Sequence, residues 1–177
     1  MKYPEGFSKK PPEFLGGFFI LSIFRYESFM MADKGHEFYM KACIDLALEA
    51  KAKGESPVGS VIVQNGSIIG EGIERSKAKR DISFHAEIEA IREATIMLGN
   101  SDLSDCSLYT THEPCIMCSY AIRHSKINTV VFGISTVETG GASSFYPILT
   151  DTKIKKWGKA PRIVKGILER EIKNAIA

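Results

Sequence analysis

The first regular pattern of apolar and polar positions in the chain lies over residues 36–53. Apolar side chains recur there at helical spacing on one stripe, with further apolar residues beside it, and Gly54 follows the last of them. The stripe comprises Phe38, Ala42, Leu46 and Ala50, and its neighbours are Tyr39, Cys43 and Ala47. This spacing predicts an amphipathic helix that ends before the glycine.

An extended pattern comes next, in two runs joined by a short turn. Residues 58–63 are rich in β-branched side chains, and a second extended run covers 68–73. Between them Asn65-Gly66 is the residue pair that a type I′ turn prefers, because both positions need a positive φ. The sequence therefore predicts an antiparallel strand pair.

The rest of the chain alternates between helical and extended patterns. A polar stretch over 76–81 predicts a loop, and helical spacing then runs from Ile88 to Leu98 and ends at Gly99-Asn100. After it the pattern predicts a strand at 108–111 and a helix over 114–124 that opens at Pro114. Strands at 129–132 and 162–164 and a terminal helix follow. A strand, helix and strand in succession imply a parallel crossover. The whole pattern predicts an α/β fold, a three-layer α/β/α sandwich with helices on both faces of a mixed sheet.

The first 35 residues differ from this pattern. Lys9 and Lys10 precede an apolar run over 14–24, which superficially resembles a signal peptide. The run ends at Arg25 without a small-residue cleavage site, and it is shorter than the ~20 residues that a membrane span needs. We therefore expect 1–35 to be an N-terminal extension of a single domain over 36–177, with no membrane partner.

Composition and charge narrow the function only slightly. The chain has 177 residues, of which 44% are hydrophobic and 25% charged, as in ordinary globular proteins. Its net charge of +2 neither requires nor excludes nucleic acid. Two of the four cysteines, Cys115 and Cys118, are closely spaced, which favours metal or redox chemistry in a reducing compartment. We expect a cytoplasmic protein in which Cys43 and Cys106 are inert buried thiols.

Four residues carry the candidate chemistry. Cys115 and Cys118 lie three apart at a predicted helix start, so both sulfurs share one face near the positive end of the helix dipole. His85 opens the neighbouring predicted helix and completes three zinc ligands, which leaves the fourth tetrahedral position for water. Glu87 lies two residues after His85 and is placed to act as general base and general acid.

This set of residues suits hydrolysis of an amidine-type carbon that bears an exocyclic amine. Zinc lowers the pKa of bound water from about 15.7 towards about 7, so a nucleophile is available near neutral pH. Glu87 can then move protons to the ring nitrogen and to the departing ammonia. The alternative is that each part is structural, with buried thiols, a redox pair or a closed zinc site beside an unrelated glutamate.

The motifs His85-Ala86-Glu87 and Pro114-Cys115-Ile116-Met117-Cys118 resemble those of the cytidine and deoxycytidylate deaminase superfamily. Within it the chain is most similar to the bacterial tRNA adenosine deaminases and related nucleobase and nucleoside deaminases, over about residues 37–168. The resemblance implies a five-stranded mixed sheet, one Zn²⁺ per chain, a homodimer and hydrolytic deamination.

Three departures from the family pattern concern the substrate. Where members commonly have an Asn after the second strand, this chain has Glu74, an acceptor-only group that either meets a donor-rich ligand face or points to solvent beside Arg75. Thr136 stands where the tRNA enzymes have an Asp, and 167–177 lack their aromatic and Arg-rich tail. We therefore expect a free base or nucleoside as substrate, with tRNA as the alternative because 153–165 are rich in Lys and Arg.

The predicted substrate contacts come from four segments of the chain. They are Glu74, Pro57, Val58, Pro114, Phe145 and Tyr146. The two aromatic residues follow a Gly-Ser loop and could stack on a base, although packing against the core explains them equally well. His112 precedes the cysteine motif and has four alternatives: facing the pocket, shielding the metal, supporting the metal ligands, or facing solvent.

Overall fold

The computed structural model describes residues 35–177, so the predicted N-terminal extension lies outside the described residues. Five helices, one 3₁₀ turn and five strands follow one another along this part of the chain. They are α1 (Gly35–Ala52), β1 (Gly59–Gln64), β2 (Ser67–Ile73), α2 (Ser76–Lys79), α3 (Ala86–Leu98), β3 (Ser107–His112), α4 (Ile116–His124), β4 (Thr129–Ile134), the 3₁₀ turn (Lys155–Trp157), β5 (Arg162–Lys165) and α5 (Glu169–Ile176).

The strands form one five-stranded mixed sheet in the order β2-β1-β3-β4-β5. The β1 strand pairs antiparallel with both β2 and β3, whereas β3, β4 and β5 run parallel to one another. The turn between β1 and β2 has a positive φ at both Asn65 and Gly66, 50° and 77°, as a type I′ turn requires. The predicted antiparallel pair, parallel crossover and mixed sheet are confirmed.

Hydrophobic cores lie on both faces of the sheet. Successive residues of β1 alternate between them, so Ile62 packs with α3 and α4, whereas Val61 and Val63 pack with α1 and α5. This alternation places two helices over each face and confirms the three-layer sandwich. Among residues 35–177, none of the helices combines the length and apolarity that a transmembrane span requires.

Three local predictions need correction. The predicted apolar stripe of α1 includes Phe38, but this side chain is 47% exposed, and the buried face is centred on Met40 and Cys43 instead. The 76–81 stretch contains the short helix α2, because the carboxylate of Glu55 accepts hydrogen bonds from the backbone N–H groups of Lys77 and Ala78, at 3.2 and 2.7 Å.

The start of α4 also differs from the prediction. Pro114 does not open the helix, because Cys115 is its N-cap with extended backbone angles, φ −66° and ψ 173°. The backbone around Cys115 pairs with Gly140, and the N–H of Ile116 donates to the carbonyl of Thr139 at 3.0 Å. The first turn of α4 is therefore held by the loop that follows β4.

Close packing of α3 on β2 fixes where α3 begins. An added Cβ at Gly72 would lie 2.0 Å from the carbonyl oxygen of Ala86, and one at Gly70 would lie 2.3 Å from that of Ala90. Only glycine permits this approach between helix and strand backbones. Since Ala86 is the first residue of α3, the contact at Gly72 positions the N-terminus of the helix.

Candidate metal and catalytic site

Two helix N-termini meet at the carboxyl end of β3. His85 is the N-cap of α3, and Cys115 is the N-cap of α4 with Cys118 in the first turn behind it. Neither N-cap side chain bonds its own helix backbone. The side chains of His85 and Cys115 therefore do not cap their helices and instead contact each other.

The three ligating atoms form a compact triangle. Cys115 Sγ lies 3.6 Å from Cys118 Sγ, and the Nδ1 atom of His85 lies 3.7 Å from the first sulfur and 3.5 Å from the second. Tetrahedral zinc with Zn–S near 2.3 Å and Zn–N near 2.0–2.1 Å requires sulfur–sulfur and sulfur–nitrogen separations of about 3.8 and about 3.6 Å. The residues therefore fit a zinc ion, and among residues 35–177 they are the group of three His, Cys, Asp or Glu side chains found close enough to hold one.

Glu87 lies beside this triangle in the first turn of α3. Its side chain is 4% exposed, and Oε2 lies 3.5 Å from Cys118 Sγ. Burial raises the pKa of the Glu87 carboxyl to about 7, with the neighbouring Cys115 adding to the effect. A carboxyl group with a pKa near neutrality both accepts and releases protons readily, which suits a proton carrier.

The two thiols do not titrate alike. Hydrogen bonding with Cys118, and then the contact with His85, lowers the pKa of Cys115 to about 4. The same contact with Cys115, together with burial, raises the pKa of Cys118. Because zinc binds thiolates and neutral imidazole, metal binding at these residues releases protons.

A cavity of about 250 Å³ opens onto the cluster. It is smaller than the roughly 300–1,000 Å³ of pockets for drug-sized ligands, so it suits a single heterocyclic ring. Eleven residues line it, and none of them is Lys or Arg. The lining includes His85, Glu87 and Cys115 on one side and Ser56, Val58 and Glu74 on another.

The structure brings two of the six predicted substrate contacts to the cavity. Val58 and Glu74 line it, and Glu74 is 5% exposed, so the alternative in which this side chain points to solvent is wrong. Pro57 and Pro114 each precede a lining residue but are not themselves in the lining. The roles of all four in substrate binding stay predictions.

The two aromatic residues lie elsewhere. Phe145 and Tyr146 are 90% and 59% exposed, contact each other edge to face with centroids 5.2 Å apart, and do not line the cavity. Their stacking on a base stays a prediction. His112, by contrast, lines the cavity, and burial lowers its pKa.

Glu113 was not assigned a role from the sequence, yet it organises one wall of the cavity. Its carboxylate accepts hydrogen bonds from the backbone N–H groups of Thr136, Ala142 and Ser143, at 2.9, 2.9 and 2.7 Å, and from the Ser143 hydroxyl at 2.5 Å. Burial alone raises the pKa of Glu113, but these hydrogen bonds outweigh it, so the pKa is lowered. The one sequence signal was an acidic residue directly before the Pro-Cys-x-x-Cys motif.

A larger depression of about 690 Å³ lies outside this site, between β2, α3 and α1. Its two arginines, Arg75 and Arg92, are both paired with Glu89. It contains none of the three ligating residues. The chemistry therefore belongs to the smaller cavity.

Comparison with known proteins agrees with this geometry. A family model for the cytidine and deoxycytidylate deaminase zinc-binding region matches residues 33–134. The tRNA-specific adenosine deaminase of Streptococcus pyogenes serotype M18 (strain MGAS8232) is 37% identical over 137 residues, 77% of this chain and 84% of that protein. The protein of the same name from Aquifex aeolicus (strain VF5) is 39% identical over 130 residues, which are 72% of this chain and 86% of that protein.

Two solved structures are similar as well. One, from a study of A-to-I editing by tRNA:A34 deaminases at the wobble position of transfer RNA, superimposes with a TM-score of 0.72 at 30% identity, over 77% of this chain and 97% of that one. The guanine deaminase from Bacillus subtilis superimposes with a TM-score of 0.55 at 40% identity, over 57% of this chain and 65% of that one.

The fold and the site together define a zinc-dependent hydrolase that acts on the C–N bonds of cyclic amidines, a deaminase. The match covers more than half of the chain, and the relatives named above cover most of it. The chain belongs to the cytidine and deoxycytidylate deaminase family. The family predicted from the two motifs is confirmed.

Proposed function

We propose that this enzyme removes an exocyclic amine, as ammonia, from a nucleobase ring presented as a free base or a nucleoside. The observation that carries the proposal is the cavity itself. It is lined by Glu87 and by two of the three metal ligands, His85 and Cys115, has room for one ring, and is lined by no Lys or Arg that could receive a phosphate. These features support a small ring without a phosphate group as the substrate, and the deaminase family supports an amidine carbon in that ring.

Each residue of the site has a defined task in this reaction. His85, Cys115 and Cys118 would hold the zinc, which would supply Lewis-acid activation of water when bound. Glu87 accepts a proton from the attacking water and delivers protons to the ring nitrogen and then to the departing amine. The C–N bond breaks and a C=O bond forms, so water and the amine are converted to the carbonyl product and ammonia.

A second candidate is deamination of adenosine in tRNA. The relatives at 37% and 39% identity are named tRNA-specific adenosine deaminases. The chain also has an exposed set of basic side chains after β4 that could contact phosphates outside the cavity; they are Lys153, Lys155, Lys156, Lys159, Arg162 and Lys165. The cavity wall at Glu74 and Thr136 argues for the first candidate instead.

A substrate panel distinguishes the two candidates. Zinc-loaded full-length protein is incubated with adenine, guanine, cytosine, their nucleosides, and total tRNA, and released ammonia is measured. We expect turnover of at least one free base or nucleoside. Turnover of tRNA alone would establish the second candidate, and release of ammonia from none of these compounds would contradict both.

The finer properties implied by the family are proposed with the function. We infer that residues 36–177 form the deaminase domain, that each chain binds one Zn²⁺, and that the protein is a cytoplasmic homodimer. The triangle of three ligands supports a single ion per chain. Elemental analysis for zinc and light scattering after gel filtration test the stoichiometry and the oligomeric state.

A further inference from the structure

Glu74 is a buried acid placed directly after the edge strand β2. Its side chain is 5% exposed and lines the same cavity as His85 and Glu87. Its backbone N–H donates to the carbonyl of Val58 at 3.0 Å, so the residue is anchored to the segment that enters β1. The carboxylate is therefore held in the cavity wall and not on a free loop.

The carboxylate is only half satisfied by the protein. Oε1 accepts a hydrogen bond from the backbone N–H of Ser76 at 3.2 Å, and within residues 35–177 Oε2 accepts none. Glu55 and Glu113, two other buried acids nearby, use both oxygens to bind backbone N–H groups. Among residues 35–177 this oxygen of Glu74 is not one of the fully buried side-chain atoms that lack a partner, so it is accessible from the cavity, where an N–H group of a ligand can donate to it.

No Lys or Arg of the described chain supplies that partner. The neighbouring Arg75 is turned away, because its guanidinium pairs with Glu89 and lies over the ring of Phe84, 5.9 Å from the centroid. Lys and Arg are also absent from the cavity lining. The carboxylate of Glu74 thus lies in a cavity that is lined by no Lys or Arg, with His85 as the basic side chain of the same lining.

We propose that Glu74 determines substrate specificity by accepting a hydrogen bond from an N–H group on the ring edge that faces it. This inference rests on the proposed deaminase function and narrows its substrate class. A carboxylate can only accept, whereas an amide at this position would both donate and accept. The enzyme therefore prefers amidine heterocycles with a ring N–H or amino group at that edge and disfavours rings with a bare acceptor nitrogen there.

Matched pairs of heterocycles test this preference. Adenosine and guanosine carry an acceptor nitrogen at N7, whereas their 8-oxo derivatives carry an N–H at that position; cytosine and 1-methylcytosine form a pair in which the ring N–H is replaced by a methyl group. We expect kcat/KM of the wild-type enzyme to favour the N–H member of at least one pair by about tenfold or more. In Glu74→Gln this ratio falls towards one, and in Glu74→Asp its direction is retained.

The control is Glu55→Gln, which removes a charge from a buried acid of the same region that does not line the cavity. It should leave the ratio unchanged. Folding and zinc content of each variant are checked by thermal denaturation and elemental analysis. Calorimetric binding of the same pairs to zinc-loaded protein gives a second readout that does not require turnover.

The outcomes separate this inference from the proposed function. Equal ratios in wild type and Glu74→Gln, by turnover or by binding, overturn the role of Glu74 even if the enzyme deaminates the compounds. Absence of ammonia from every compound overturns the proposed function, and a Glu74-dependent binding preference would still support the N–H contact.

Discussion

The carboxylate of Glu87 lies 3.5 Å from the sulfur of Cys118, although 31 residues separate them in the chain. The two side chains come from the first turns of α3 and α4, so the meeting of these helix starts puts the proton carrier next to the metal ligands. Proton transfer requires groups within hydrogen-bond distance of each other, and this arrangement holds the carboxylate of Glu87 at that distance from a metal-ligand side chain.

Glu87→Gln removes the proton carrier but keeps the shape of the side chain. We expect kcat to fall by about 10²- to 10⁴-fold, with zinc content and the thermal midpoint unchanged. Ammonia release measures kcat, elemental analysis measures the zinc content, and thermal denaturation measures the midpoint. Glu89→Gln is the control, because that side chain binds Arg75 and Arg92 outside the cavity. Wild-type turnover in Glu87→Gln would refute the mechanism.

Cys118→Ser removes one of three metal ligands. We expect its zinc affinity to fall by more than the roughly 10- to 100-fold that follows loss of a residue outside the ligand set. The matched control is Cys106→Ser, since Cys106 is equally buried but belongs to a hydrophobic cluster. Competition with a chromogenic chelator reports both affinities, and equal losses in the two variants would show that Cys118 is not a ligand.

Glu113→Gln replaces an acceptor-only group that binds three backbone N–H groups with an amide that must point a donor at some of them. We expect the free energy of unfolding to fall by about 1–3 kcal/mol and amide exchange at Ala142 and Ser143 to quicken. Urea unfolding and hydrogen exchange measure this. Glu138→Gln, an exposed position of the same segment, should change neither quantity. Unaltered exchange in Glu113→Gln would mean that the loop is held by other contacts.

Gly72→Ala places a methyl group where the carbonyl of Ala86 now lies, 2.0 Å from the new Cβ. The helix α3 must shift, so we expect a loss of about 1–3 kcal/mol in stability. Because Ala86 follows His85, zinc affinity should weaken too. The neighbouring Glu71→Ala, at an exposed position of β2, serves as the control. A variant with wild-type stability and zinc affinity would show that α3 tolerates the displacement.

The elements and the family were predictable because they depend on local spacing. Helical and alternating patterns located every helix and strand of residues 35–177 except α2. The pair Asn65-Gly66 specified the turn between β1 and β2 through its backbone preference alone. The short helix was missed because its stabilising partner, Glu55, lies 22 residues before Lys77. The buried face of α1 was displaced for a similar reason, since its packing depends on β1 and α5.

The sequence by itself determined the chemistry: which residues could bind a metal, which could carry protons, and which family has both in this order. Only the tertiary structure decided what surrounds them. It placed Glu74 in the cavity with one free oxygen, engaged Glu113 with the loop after β4, and left Phe145 exposed. Ligand type is a property of a side chain, whereas burial and pairing depend on segments distant in the chain that fold against it.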